Sequence, residues 1–362
     1  MFGWGDSQIC PIGVDIGTGG IKLLQLKRKS EQYVLQAAAR VALPAPMGEN
    51  DSERGPALTA ALRKLLSGSD FVGRTCVTAL SAEQMHVKSV RLPPMPESDL
   101  EQAVQWEAKD RLGFDLTDGG LAYFRAGEVR RGTEVRDELL LFAATDAVLR
   151  SHIGVLTAAG LRIGAIDLQP CAVIRAIRRS GGVGRLRAVV DVGQGGSHLV
   201  IAQDDRMTFY KHIDIGAGTL NAAVAQKLGV SVDEAAQIRV RMGRAAGDGP
   251  DESEHLRQAV ADALRPSLEE LARELDMCMR YYVVTFRAAR PESIEVAGGG
   301  GNCPRVLETI STVLGLRADA AQPLRGVGKL NESTRPDRSA DWAVAAGLSL
   351  YGAEAARVEE AA

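Results

Sequence analysis

The sequence predicts an α/β fold of two lobes, each organised around a glycine-rich hairpin. The chain has 362 residues, of which 45% are hydrophobic and 25% charged, so it is long enough to bury more than one core. One short motif occurs twice, and the two copies are separated by about half of the chain. Segments with strand and helix patterns alternate around both copies, as in mixed α/β proteins.

The repeated motif reads D-I-G-T-G-G in residues 15–20 and D-V-G-Q-G-G in residues 191–196. A leucine follows at the same distance in each copy, as Leu23 and Leu199. A short apolar run precedes each turn and a strand-like run follows it, which predicts a β-hairpin in both places. Because self-similarity at a fixed offset marks a repeated architecture, the two copies predict two related halves.

Both turns have a composition that suits phosphate binding. Glycine lacks a Cβ and tolerates positive φ, so consecutive N–H groups can point into one concavity and hold phosphate oxygens. The predicted phosphate-binding residues are Gly17, Thr18, Gly19, Gly20 and Lys22 in the first copy, and Gly193, Gln194, Gly195, Gly196 and Ser197 in the second. Aspartate is a hard oxygen ligand, so Asp15 and Asp191 are the predicted Mg²⁺ ligands. The alternative is an ordinary hairpin turn whose aspartate caps nearby amides.

A third glycine cluster follows a predicted strand at residues 293–297. Gly298 to Gly301 and Asn302 form the cluster, and the next segment has apolar residues at helical spacing. A strand, glycine turn and helix let the backbone pass close to a flat ring or a ribose. By themselves four glycines predict only a loop, but their position after the two phosphate-type turns makes Gly298, Gly299, Gly300 and Asn302 the predicted adenosine-binding residues.

The three motifs, in this order, resemble those of the actin, heat-shock chaperone and sugar kinase superfamily. Within it the chain is similar to the PilM family of the type IV pilus assembly platform. The stretches that carry the finer resemblance are residues 13–17, 22–26, 90–93, 101–112, 159–161, 166–167, 191–197, 215–220 and 342–350. The resemblance implies a duplicated actin-like (ribonuclease H-like) ATPase fold, with ATP or ADP and Mg²⁺ as cofactors.

The resemblance also implies that the chain is divided into four segments. The first lobe would span residues 8–80, an inserted small α/β subdomain 81–180, and the second lobe 181–350, whose end returns toward the first lobe. Residues 351–362 would form a tail. An apolar helical stripe in residues 100–112 and strand-like segments further along support an ordered insert.

One departure from the family pattern concerns catalysis. Relatives are expected to carry A-E-x-x-K on a helix near the ribose, but residues 235–239 have alanine in place of the acid and Arg239 in place of the lysine. Arg239 is expected to stack on the base or to face solvent. Asp15, Asp191 and Gln194 are candidates for a base or water-orienting group, and none is assigned. These features favour nucleotide binding over fast hydrolysis.

The resemblance implies an adaptor that binds the N-terminal cytoplasmic peptide of a PilN-like membrane protein and acts on pilus assembly ATPases indirectly. Trp106, Phe114 and Tyr123 are candidates for the peptide groove, with core packing as the alternative. Two other functions stay open: a sugar or polyol kinase, and an FtsA-like membrane-associated filament protein. A homo-oligomer is also left open.

Composition argues against several other classes. The 43 basic and 46 acidic residues give a net charge of -3, which does not favour nucleic acid binding. The five cysteines are scattered, so neither a disulfide framework nor a zinc site is expected. No signal peptide pattern and no apolar run of about eighteen residues occurs. These observations predict a cytoplasmic protein without a membrane span, peripheral at the inner membrane through its partners.

Overall fold

The computed structural model describes residues 7–30, 32–43, 53–114, 119–179, 186–204, 206–244, 254–329 and 339–352. The strands β1 to β14 are, in chain order, Ser7–Gly17, Gly20–Lys29, Gln32–Ala42, Thr75–Leu80, His86–Leu92, Gly119–Arg131, Glu134–Thr145, Arg162–Leu168, Leu186–Val192, Ser197–Gln203, Arg206–Ile213, Ser293–Gly298, Arg317–Ala320 and Gly328–Lys329. The helices α1 to α9 are Arg54–Ser67, Glu97–Leu112, Asp146–Ala158, Gln169–Arg178, Ala217–Leu228, Val232–Arg244, Glu254–Phe286, Pro304–Leu314 and Ala343–Ser349.

Two sheets share one topology. The six-stranded sheet has the order β14-β3-β2-β1-β4-β8, and the five-stranded sheet has the order β11-β10-β9-β12-β13. In each, a hairpin-connected antiparallel trio is followed by two strands that run parallel to its first strand. The six-stranded sheet and its helices form the first lobe, and the five-stranded sheet and its helices form the second. The predicted duplicated, two-lobed actin-like fold is confirmed.

Both faces of the first-lobe sheet are covered. Leu23 and Leu24 are neighbours on β2, and both are fully buried because successive side chains of a strand point to opposite faces. Leu23 packs with α1 and α3, whereas Leu24 packs with α9. The apolar run in this strand therefore reflects a sheet with helices on two sides, as is usual for α/β proteins.

Helices α4 and α9 connect the lobes. Their side chains form one apolar cluster with Val77 and Ala79 of β4 in the first lobe and with Val189 and Ala297 in the second. The end of the chain is anchored on the first lobe, where Ser349 Oγ donates to Pro11 O at 2.8 Å. Close packing of α4 and α9 thus places the carboxyl ends of β4 and β9 near each other.

A smaller subdomain, here called the insert, follows β4. It consists of the three-stranded sheet β5-β7-β6 and α2, whose buried residues are Leu100, Val104 and Ala108. The predicted insert reached residue 180, but β8 pairs in parallel with β4 and α3 packs beside α1 in the first-lobe core. Residues 146–168 thus lie with the first lobe, because parallel strands need a long crossover and the insert with α3 supplies it.

Two further expectations concern the ends of the chain and the membrane. Residues 353–362 of the expected tail lie outside the described residues. Among the helices that the structure describes, none has both the length and the apolar character needed to cross a bilayer.

Candidate functional site

The two repeated turns face each other in space. A Cβ built on Gly19 of the first turn would lie 2.9 Å from Gln194 Cβ of the second. A Cβ built on Gly195 would lie 3.1 Å from Thr18 Oγ1. The turns therefore approach to contact distance, and glycine is what permits it. Beside them opens a cavity of about 810 Å³.

The cavity collects nearly all of the predicted site residues. Those that line it are Asp15, Gly17, Thr18, Gly19, Gly20, Lys22, Asp191, Gly193, Gln194, Gly195, Gly196, Arg239, Gly298, Gly299, Gly300 and Asn302. Ser197 is the exception. It is fully buried, and its hydroxyl donates to the carbonyl of Ile215. Ser197 thus anchors the base of the second hairpin and does not face the cavity.

The second turn is held by the start of α5. Ala217 N donates to Gly193 O and Gly218 N donates to Gln194 O, both at 2.8 Å. Helix N-termini have free N–H groups, and here two of them satisfy carbonyls of the turn. A Cβ on Gly216 would lie 2.7 Å from Gly193 O, so this approach also depends on a glycine. The turn is thereby fixed to a rigid element.

Charged groups converge below the turns. Lys22 Nζ lies 3.3 Å from Oδ2 of the buried Asp15. Burial acts to lower the pKa of Lys22, but the carboxylates of Asp15, Asp341 and Asp191 outweigh it and raise that pKa. Burial raises the pKa of Asp191 to about 6, with Lys22 opposing the increase and the Asp15 and Asp341 carboxylates adding to it. A second cation near these carboxylates would reduce the repulsion among their negative charges, which one lysine balances only in part.

The described residues contain no group of three or more His, Cys, Asp or Glu side chains arranged as a protein-only metal site. Magnesium in nucleotide sites is usually bound by one or two carboxylates together with phosphate oxygens and water. Asp15 and Asp191, at the ends of β1 and β9, have the donor chemistry for that arrangement. Their assignment as metal ligands stays a prediction.

The adenosine turn closes over the end of β9. Gly298 has a φ of 69°, which lies in the left-handed region, and a Cβ there would be 2.3 Å from Asp191 Oδ1. A Cβ on Gly300 would lie 2.4 Å from Val192 Cβ. Glycine is thus required by space at both positions, and at Gly298 by conformation as well. The two repeated glycine turns and this third glycine turn therefore line one cavity.

Several cavity residues were missed by the sequence reasoning. Asp341 lies beside Asn302, whose Nδ2 donates to Asp341 Oδ1 at 2.8 Å, and Arg40 Nη1 lies 3.3 Å from Asp341 Oδ2. Glu83 and Gln169 also line the cavity. Asp341 is 39 residues from Asn302, and no local pattern singles it out. The stretch that carries the family resemblance, residues 342–350, begins one residue after Asp341.

Arg239 is half-buried. It lines the cavity, and its Nη1 donates to Ala217 O at 3.2 Å and to the side-chain oxygen of Asn221. The helix that carries it, α6, begins at a capping box in which Glu234 N donates to Ser231 Oγ. Arg239 thus connects α6 to the start of α5, directly behind the second turn.

The three candidate groove residues differ in their surroundings. Trp106 lies on the outer side of α2 and is 80% exposed. Tyr123 packs against the insert core, and its hydroxyl donates to Glu97 Oε1 at 3.2 Å. The ring centroid of Phe114 lies 4.9 Å from that of His86. Core packing therefore accounts for Tyr123, and Trp106 is the exposed aromatic residue of the insert.

Two sheets that share a five-strand order, two facing glycine turns and a third glycine turn define this chain as a protein of the actin-like ATPase fold. A family profile described as "Type IV pilus assembly protein PilM" matches residues 13–353. The chain belongs to the PilM family of type IV pilus assembly proteins.

Solved structures agree with this fold. The structure titled "PilM-PilN type IV pilus biogenesis complex" is similar with a TM-score of 0.77 and 22% identity, over 94% of this chain and 98% of that one. MreB 5 of Spiroplasma citri bound to AMPPNP is similar with a TM-score of 0.51 and 10% identity, over 97% and 98% of the two chains. At these identities the likeness concerns the fold.

A curated relative is the cell division protein FtsA of Bacillus subtilis (strain 168). It is 22% identical over 206 residues, which are 53% of this chain and 46% of FtsA. The match thus spans about half of the length of that relative. It agrees with an actin-like fold.

Proposed function

We propose that this protein is an ATP-binding adaptor of the type IV pilus machinery. It binds ATP or ADP with Mg²⁺ in the cavity and binds the N-terminal cytoplasmic peptide of a PilN-like membrane protein, in a nucleotide-dependent way. It acts in the cytoplasm, peripheral to the inner membrane through that partner, and reaches the pilus assembly ATPases indirectly. The observation that carries the proposal is the contact of two glycine turns beside a cavity. That cavity is also lined by Lys22 and by the carboxylates of Asp15, Asp191 and Asp341.

The residues of the chain divide the work of holding a nucleotide. The amides of the turns 17–20 and 193–196 would hold phosphate oxygens, and Lys22 would neutralise their charge. Asp15 and Asp191 would hold Mg²⁺, and residues 298–302 would lie against the adenosine. A bound nucleotide supplies a phosphoanhydride. The MreB 5 structure with AMPPNP supports nucleotide binding by this fold.

Replacement of the two aspartates tests the nucleotide site. Asp15→Ala and Asp191→Ala should each lower the affinity for Mg²⁺·ATP at least about tenfold, because each removes a carboxylate that would hold the metal. Affinity measured in EDTA should change much less. Calorimetry with and without Mg²⁺ provides the measurement, and thermal melts check the fold.

Asp262→Ala is the matched control, since Asp262 lies on α7 and pairs with Arg265 at 2.6 Å, away from the cavity. Unchanged Mg²⁺·ATP affinity in both site variants would show that Asp15 and Asp191 are not the metal ligands. If labelled ATP transfers its phosphate to a polyol in the presence of the protein, the protein is a kinase and the adaptor proposal is wrong.

Trp106 tests the partner. Exposed aromatic side chains are frequent anchors of protein interfaces, and Trp106 is 80% exposed on the insert. Trp106→Ala should weaken binding of a synthetic N-terminal PilN-like peptide about tenfold without lowering thermal stability. Fluorescence anisotropy of the labelled peptide, with Mg²⁺·ATP present, measures this.

Val284→Ala is the control for loss of an exposed apolar side chain, because Val284 is 77% exposed on α7. Equal affinity of wild type and Trp106→Ala would exclude Trp106 from the peptide site. If the wild-type protein does not bind the peptide with any nucleotide, the adaptor proposal is wrong.

A further inference from the structure

Glu83 occupies a position that the proposed function leaves unexplained. It belongs to a short 3-10 turn, Ala82–Gln84, between β4 of the first lobe and β5 of the insert. The buried Ser81 holds the turn, because Ser81 N donates to Gln84 Oε1 at 3.2 Å and Ser81 Oγ donates to the same oxygen at 3.3 Å. The backbone around Glu83 is therefore anchored, and its side chain projects to the cavity.

The Glu83 carboxylate reaches across to the second lobe. A Cβ built on Gly195 would lie 2.5 Å from Glu83 Oε1 and 3.1 Å from Thr18 Oγ1. Glu83 thus lies against the second turn and next to the first turn at the point where they meet. The charge of Glu83 also acts on Tyr210. Burial raises the pKa of Tyr210 most, and the carboxylates of Asp191 and then Glu83 add to the increase.

The same place suits the end of a polyphosphate. Two glycine turns that face each other offer backbone amides to one anion, and a carboxylate and a phosphate are both oxygen anions. Glu83 is exposed, so water screens part of its charge, but like charges a few ångströms apart still repel each other. A phosphate that enters between the turns must therefore displace the Glu83 carboxylate or bind beside it at a cost in affinity.

We propose that Glu83 determines nucleotide specificity: its carboxylate occupies the position of a third phosphate between the turns, so that the site binds a nucleoside diphosphate more tightly than a triphosphate. The inference rests on the proposed nucleotide site and goes beyond it, because it assigns the discrimination to one side chain. A diphosphate ends short of the carboxylate, whereas a triphosphate requires it to move.

Glu83→Gln is the informative variant, because the amide keeps the shape and removes the charge. Calorimetry with Mg²⁺·ATP, Mg²⁺·ADP and Mg²⁺·AMP gives the affinities. We expect wild type to prefer ADP, and Glu83→Gln to raise ATP affinity about tenfold while ADP and AMP change by less than about twofold. Glu292→Gln, an exposed glutamate before β12, is the control with the same change in net charge and should leave all three affinities unaltered.

Two results would overturn the inference. Lower ATP affinity in Glu83→Gln would mean that the carboxylate helps to hold the metal or the nucleotide. An equal increase for ATP and ADP would mean a general effect of charge. Equal melting temperatures of wild type and variant establish that the fold is intact.

Failure of the nucleotide proposal has a different signature. If the wild type binds no adenine nucleotide, magnesium pyrophosphate and magnesium tripolyphosphate are used as probes of the turns. Tripolyphosphate affinity that rises in Glu83→Gln, with pyrophosphate unchanged, supports the role of Glu83 although the nucleotide assignment fails. No discrimination between the two probes, or no binding of either, overturns the role of Glu83.

Discussion

At the residue scale, Gly298 shows how closely the segments of the site approach one another. Its φ of 69° disfavours any residue with a Cβ, and that Cβ would lie 2.3 Å from Asp191 Oδ1 and 2.6 Å from Val192 O. Gly315, at the end of α8, has a similar φ of 61° but nothing within 4 Å of its Cβ position. Comparing Gly298 with Gly315 therefore distinguishes the free-energy cost of backbone strain from that of a steric clash.

Alanine at these two glycines should therefore have unequal effects. Gly315→Ala should lower the free energy of unfolding by about 1 kcal/mol, because only strain is added. Gly298→Ala should lower it by about 2–4 kcal/mol and should weaken Mg²⁺·ATP binding, since the new methyl group displaces the Asp191 carboxylate. Urea denaturation and calorimetry measure both effects. Equal destabilisation by the two variants would mean that the turn relaxes without moving Asp191.

At the element scale, the contact of α4 with α9 depends on one small residue. A Cβ on Gly347 would lie 1.8 Å from Ala172 O and 2.4 Å from Ala172 C, so the backbones of the two helices touch. The contact is surrounded by small and branched residues of the cluster between the lobes. Because this helix pair joins both sheets, its separation sets the distance between the ends of β1 and β9.

Gly347→Ala should consequently lower the free energy of unfolding by about 3 kcal/mol or more, because the helices must move apart. Gly154→Ala is the matched control, since Gly154 is also helical and has nothing within 4 Å of its Cβ position. Alanine there should raise stability by about 0.5–1 kcal/mol through helix propensity. Denaturant titrations of both variants give the comparison, and a neutral Gly347→Ala would contradict the close packing.

At the scale of the whole molecule, a buried histidine couples stability to pH. His152 on α3 is 6% exposed, and its Nε2 lies 2.9 Å from Thr78 Oγ1 on β4. The Thr78 hydroxyl donates to Val14 O at 3.1 Å, so we infer that the imidazole donates from Nε2. Burial lowers the pKa of His152 to about 4. Helix α3, β4 and β1 are thus joined through a neutral imidazole.

Acid should therefore weaken the fold through His152. Below a pH of about 6.5 the unfolded chain takes up a proton at this histidine, while the folded protein does not until about pH 4. The stabilising contribution is present above the unfolded pKa and is lost as the pH falls toward the folded pKa, at most about 3 kcal/mol. His152→Gln should be less stable than wild type at pH 7.5, and the difference should shrink by pH 4.5.

Guanidinium denaturation at several pH values between 4.5 and 7.5 measures this difference. His255→Gln controls for the loss of a histidine, because His255 is exposed on α7. A constant difference between His152→Gln and wild type across the range would show that His152 does not couple stability to pH.

Much of the fold and the site was determined locally, and so could be read from the sequence. The two D-x-G-x-G-G turns are hairpins because their glycines and flanking strands dictate hairpins, and Asp15 and Asp191 lie near the ends of β1 and β9 accordingly. The duplicated order of the strands follows from the repetition of that unit. The apolar stripe of α2 likewise predicted which side of that helix faces the insert core.

Only the tertiary structure decided which remote side chains complete the cavity and where the insert ends. Asp341 and Glu83 reach the site because α9 and the turn after β4 are brought there by packing, which no local pattern records. Ser197, one residue beyond the repeated turn, is directed into the core by the strand alternation. The residues of the turns are a property of the sequence, whereas the contact of the turns is a property of the helices α4 and α9 that join the lobes.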